Sequence, residues 1–192
     1  MDTYHVVLYI HLLSLLVGFS AGMIEAVCLF KLRAAETLEA AAPWGQLAGQ
    51  LEKAFPVAVV GLYGSGAYLT HHLWSFSDAW IVIPIVGLAL LALQGPIVVG
   101  RQGHKVKDAL MANGPGPLGE AALRQKLHPV LWGGAFANEG IVLAIVWVMT
   151  EKPGWGGAIA ALVIGYAVGA AFGLASARKA APAAAPVAEP TT

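Results

Sequence analysis

The sequence predicts an all-α protein: a polytopic membrane helical bundle with five transmembrane helices, its N-terminus outside and its C-terminus cytoplasmic. Three observations lead there. The 192 residues are 58% hydrophobic and only 11% charged, against about 25% charged in an average soluble domain. The apolar residues gather into five runs, each near the ~20 residues that a helix needs to cross a bilayer. The basic residues then fall almost wholly on one side of those runs.

The first run is expected at about 4–30, YHVVLYIHLLSLLVGFSAGMIEAVCLF, and it meets Lys31 and Arg33. No Asp, Glu, Lys or Arg lies between Tyr4 and Ile24. His11, Ser14, Gly18, Gly22 and Glu25 follow one another at spacings of 3, 4, 4 and 3, so they share one stripe of a helix. In an apolar solvent such a stripe turns toward other helices. Met-Asp-Thr-Tyr supplies no basic segment of the kind that opens a signal peptide, so this helix is expected to stay in the mature protein.

The remaining spans are expected at about 54–74, 79–100, 129–150 and 155–176. Lys31, Arg33, Lys53, Arg101, Lys105, Lys107, Arg124, Lys126, Arg178 and Lys179 then share one side, and only Lys152 lies on the other. The positive-inside rule makes the first side cytoplasmic. Trp74, Trp80 and Trp155 fall at the outer boundary, where tryptophan is favoured. The first inner loop, about 31–53, predicts short helices broken near Pro43. The second, about 101–128, predicts two helical arms parted by the breaker Asn113–Pro117, so the third and fourth spans project beyond the bilayer as a hairpin. Residues 1–178 thus form one membrane domain, and the Ala/Pro-rich tail at 179–192 has the composition of a disordered segment. In the fifth span Gly157, Ala161, Gly165, Gly169 and Gly173 recur every four residues. That stripe admits a close neighbour, within the chain or as a homo-oligomer face.

Composition also excludes functions. The formal net charge is zero, which gives no footing for nucleic acid. One cysteine, Cys28, permits no internal disulfide and no CxxC motif. No nucleophile triad, phosphate loop or HExxH motif is present, and whether the chain is an enzyme stays open.

Ionisable and amide groups inside the spans are the functional candidates, because placing them in hydrocarbon is costly. His11, His71 and His72 lie in the outer half, Glu139 near the middle, and Gln94, Glu25 and His128 further inward. One imidazole from each of two helices can ligate a haem iron. Haem b held by His11 with His71 or His72 is therefore one reading, although His11 lies deeper than the pair. In the other, His11 bonds a neighbouring helix and His71 and His72 sit among headgroups. Glu139 shares a helix face with His128, Trp132 and Ala135. It can relay protons, pair with histidine or bond another helix. Gln94 reads as interhelical glue.

Three features resemble the bacterial inner-membrane proteins grouped around copper-resistance protein D and HemJ-type protoporphyrinogen oxidase, most of all their uncharacterised relatives. These are Tyr4, His11 and Gly18 in the first span, FPVAVVGLYGSGAYL in the second, and Asn138-Glu139 followed by VMTEKP. Leu32-Arg33 stands where the HemJ type carries Pro-Arg. The resemblance implies a haem-associated or metal-handling bundle in the bacterial inner membrane, with His11 at the first-helix histidine. Three functions follow as expectations. The first is a haem b-binding redox protein. The second is a small metal or proton transporter using Glu139, His128, Gln94 and Glu25. The third is a membrane scaffold or accessory subunit whose inner helical arms dock a membrane or cytoplasmic protein.

Overall fold

The computed structural model describes residues 2–178, and the predicted tail from 179 onward lies outside them. The elements, in order, are α1 (Thr3–Ala34), α2 (Leu38–Leu51), α3 (Ala54–Leu73), α4 (Ala79–Gln94), a π-helical segment (Gly95–Gly100), α5 (Arg101–Asn113), α6 (Glu120–Lys126), α7 (Pro129–Glu151) and α8 (Trp155–Arg178). Among the described residues there is no strand, only an isolated bridge between Thr37 and Pro117.

Four helical stretches are long and apolar enough to cross a membrane: α1, the continuous run Ala79–Asn113, the run Glu120–Glu151, and α8. Their outward surfaces are apolar. Leu16, Val163, Ile164 and Val168 are each about 60% exposed, whereas glycine, serine and carboxyl groups lie between helices. That is the inverse of a water-soluble bundle. The chain is that of a membrane protein. The remaining long helix, α3, has 20 residues; its apolar character is diluted by Tyr63, Gly64, Ser65, Gly66, Tyr68 and the terminal histidines.

Close contacts set the direction of each helix. A Cβ added at Gly61 would overlap the Ser14 hydroxyl, and one at Gly18 would lie 3.0 Å from Ala58 Cβ. His11 bonds Ser65. Rising numbers on α3 thus meet falling numbers on α1, and the two run antiparallel. In the same way, α8 runs back along α7. Gly165 abuts the Gly140 backbone, Gly169 the Phe136 carbonyl and Gly173 the Trp132 carbonyl, each so near that a Cβ has no room. The glycine stripe of α8 is therefore used inside the chain, with only glycine allowing backbones this close. Gly87 meets Ile145 and Gly134 meets Val99, so α4 with its π segment is also antiparallel to α7.

All these turns gather the basic residues at one end. There the chain builds a cap with a water-type core. Leu32, Val106, Leu110, Ala122 and Leu131 surround Trp132, which is fully buried. Trp132 Nε1 donates to the Lys126 carbonyl at 2.9 Å, and Lys126 Nζ donates to the Ala35 carbonyl. Arg33 donates to the Ser176 carbonyl at 2.7 Å, tying the last turns of α1 and α8. The breaker at Asn113–Pro117 becomes a loop with Gly114 at φ +71 and Gly116 at φ +101, conformations that favour glycine. Its backbone is clasped from outside: Leu38 N–H donates to the Gly116 carbonyl at 2.9 Å, and Gly116 N–H to the Glu39 carboxyl at 3.0 Å. The backbone N–H of Glu39 itself, and then that of Gly116, hold the Glu39 carboxyl below the usual carboxylate range.

One expectation is corrected here. Pro43 does not break the first inner segment: α2 runs through it as one helix. Pro43 is exposed, so the hydrogen bond it cannot make costs little where water can replace it. The third span continues past its apolar run as the expected inner arm. Pro96, which has no N–H to give, widens the turn into the π segment, and the helix goes on as α5 to Asn113.

At the opposite end Lys152 closes α7 in the left-handed region, φ +49. Its ammonium stands 4.2 Å from the Trp74 ring centre and 4.7 Å from that of Trp80, and these two rings meet edge to face. A cation over two indoles compensates a strained backbone position.

Two outcomes are expected. Gly140→Leu forces α7 and α8 apart and destabilises the protein in detergent by about 1–3 kcal/mol, read as a lower thermal midpoint; an unchanged midpoint would contradict the close packing. Lys152→Met costs about 1 kcal/mol and alters tryptophan emission, because the charge leaves two indoles.

Candidate functional site

The polar groups inside the bundle arise from the stripe on α1, which meets α3 over its first half and α7 over its second. On the α3 side, His11 Nδ1 and Ser65 Oγ are 2.9 Å apart. Ser65 also donates back to the Gly61 carbonyl at 2.5 Å, and Ser14 to that of Ile10 at 2.8 Å. Serine can do this in a helix because its hydroxyl reaches the preceding turn. A Cβ at Gly66 would lie 3.3 Å from the His11 ring. Two of the three glycines of α3, Gly61 and Gly66, thus face side chains of α1, while Gly64 faces open space.

On the α7 side stands Glu139. Its Oε1 occupies the place where a side chain at Gly22 would begin. Its Oε2 is buried with no hydrogen-bond partner, as is Asn138 Oδ1. Glu25, one turn along α1 from Gly22, lies within electrostatic range of Glu139 and of Glu52. Glu52, at the end of α2, has its Oε1 over Gly103 of α5. Three carboxyls therefore descend from the middle of α7 to the basic end of the bundle. Phe30, Trp132 and Phe136 pack together below Gly22 and close the bundle beside them. The two basic groups of α1 are engaged with rings: Arg33 is over Phe30 and Trp132, and Lys31 is near Trp44. Among the described residues the one ion pair is His5 with Asp2, near the chain start.

The other candidates do not join this set. His71 and His72 are exposed at the end of α3. His72 Nδ1 is 3.0 Å from the Tyr68 carbonyl and its ring stacks on Tyr68 at 4.1 Å. His72 is seven residues beyond Ser65, about 10 Å along the helix, so His11 and the pair do not converge. A bis-imidazole haem needs two nitrogens on opposite faces of one ring, and these histidines as placed do not form such a pair. Among the described residues no group of three or more His, Cys, Asp or Glu is arranged to hold a metal ion. His128 caps α7, accepting from Val130 N–H at 3.3 Å. Gln94 donates to the Gly134 carbonyl at 3.4 Å, the interhelical role expected of it.

Comparison with family models, curated proteins and solved structures returned no match. The site therefore has to be read from its own chemistry.

Sequence reasoning singled out Glu25 and Glu139 but missed Glu52 and the role of Gly22. Gly22 carried a signal, its place on the stripe one turn from Glu25, but nothing local links it to residue 139. Glu52 had none, since it sits among exposed residues beside Lys53.

Gly22→Ala tests the seat. The added methyl displaces the Glu139 carboxyl, and the infrared carbonyl band assigned by Glu139→Gln difference spectra shifts in the alanine variant. A band at its original position would show that Gly22 does not hold the carboxyl.

Proposed function

We propose that the chain is an integral protein of a bacterial inner membrane that conducts protons across the bilayer, the inner half of the path running through Glu139, Glu25 and Glu52 to the cytoplasmic face. In this reading the chain crosses five times, with α3 added to the four apolar stretches, its N-terminus outside and its C-terminus cytoplasmic. The antiparallel contacts of α1 with α3 and of α4 and α8 with α7 agree with that alternation, and Lys152 is the one basic residue at the outer end.

The observation that carries the reading is the Glu139 carboxyl over Gly22, with an oxygen buried and unpartnered and a second carboxyl one helical turn away. A structural carboxyl between helices normally finds a donor, since leaving one unsatisfied costs about 1–3 kcal/mol. A group that takes up and gives away a proton needs an acceptor left free instead. Glu25 and Glu52 then offer successive sites toward water. His11 with Ser65 is the next ionisable group outward on the same stripe.

Reconstitution in liposomes loaded with a pH-sensitive dye, under a potassium diffusion potential, tests this. Wild-type protein is expected to acidify the lumen. Glu139→Gln and Glu25→Gln, checked for an unchanged elution profile, slow the flux at least about tenfold, and Glu139→Asp retains part of it. Flux in Glu139→Gln equal to wild type would falsify the relay.

A further inference from the structure

Glu139 has a second neighbourhood. Besides facing Gly22, it lines a groove of about 690 Å³ between α7 and α8. Its floor is the small residues where the helices meet, Gly140, Ala144, Gly165 and Gly169. Its walls are aromatic and aliphatic: Phe136, Trp147 and Phe172 with Leu143, Ile164 and Val168. The last three are about 60% exposed, so the groove opens sideways, toward lipid in the reading above. The volume lies in the range of drug-sized ligands, roughly 300–1,000 Å³.

Charge decides the occupant. Glu139 is the one ionisable residue in the lining. From the elements packed against α7, the charged or titratable groups that bear on it are few. Glu25 and, beyond it, Glu52 are acidic; α1 also carries Cys28, with Lys31 by Trp44 and Arg33 over Phe30 and Trp132. α4 and the π segment carry none, α8 has only Tyr166 before Arg178, and the charges of α5 lie past the inner boundary. An acyl chain would need neither the carboxyl nor three aromatic faces. A cation gains from both, because ring faces attract positive charge and a carboxylate is felt strongly through low-dielectric surroundings.

We propose that this groove binds a lipophilic aromatic monocation from the bilayer, with the Glu139 carboxylate as its counter-charge. Binding is an exchange. The Glu139 carboxyl loses its proton as the cation arrives, one charge for one charge, and no covalent bond other than O–H breaks. The proton leaves by the relay proposed above; only that step depends on it.

The probe is tetraphenylphosphonium, titrated into the purified full chain in detergent by calorimetry in buffers of different ionisation enthalpy. Saturable binding is expected, with one proton released per cation in acidic buffer, where the carboxyl starts protonated. Affinity should fall about tenfold for each pH unit of acidification there, because protons compete for the same carboxylate. Glu139→Gln should weaken binding at least about tenfold. Tetraphenylborate, of the same shape and opposite charge, is the control that needs no variant and should not bind. Equal binding of the two ions, or binding of the cation with no proton release, overturns the inference. So does an absence of cation binding, including the case in which a second copy of the chain covers the groove. Proton flux measured without any cation separates the two proposals. Flux without cation binding sinks the groove alone, and cation binding without flux sinks the relay alone.

Discussion

The structure depends on close backbone approach at small residues. Between helices surrounded by hydrocarbon, burial of apolar surface supplies no net attraction, because lipid is as apolar as leucine. Dispersion at short range has to serve instead, and it falls off steeply with distance. The seams α1–α3 and α7–α8 meet this requirement with Gly18, Ala58 and Gly61 on one side of the bundle and Gly140, Gly165, Gly169 and Gly173 on the other. Leu16 of α1 and Val163 and Val168 of α8 point outward instead.

That economy of space also places the polar groups. Where α1 has no side chain, at Gly22, a carboxyl from α7 enters; where α3 has none, at Gly61, the Ser14 hydroxyl enters. The seams that hold the helices together are therefore the seams that bring chemistry into the interior. The basic end obeys different rules. Trp132, Leu110, Val106 and their neighbours form a core of large apolar side chains, held by backbone clasps at Thr37–Pro117. This is packing of the kind that water drives, and it anchors the inner ends of α1, α4, α7 and α8 in one body. In the proposed relay that cap would keep the carboxyls at a fixed spacing.

Much of the fold was legible in the residues. Apolar runs set the start of α1, α3, α4, α7 and α8, and their caps follow local chemistry: Asp2 before α1, Thr37 before α2, Pro129 opening α7. Pro43 was misjudged as a break, since a single missing hydrogen bond is cheap where water absorbs it. The candidate site was half legible. The α1 stripe and Glu139 were found by periodicity and by the cost of charge in hydrocarbon. The pairing of His11 with His71 or His72 does not appear in the structure, because the register that puts Ser14 on Gly61 brings His11 level with Ser65.

By itself the sequence determined the apolar solvent and the stripe of α1 that turns inward, since these follow from composition and a period of 3.6. The tertiary structure alone decided which inward residues meet. Register between two helices is fixed by the sum of many short-range contacts along the seam, and no local signal encodes that sum. So Glu139 finding Gly22 rather than a histidine, and Glu52 standing below Glu25, could be known only once the helices had been laid against one another.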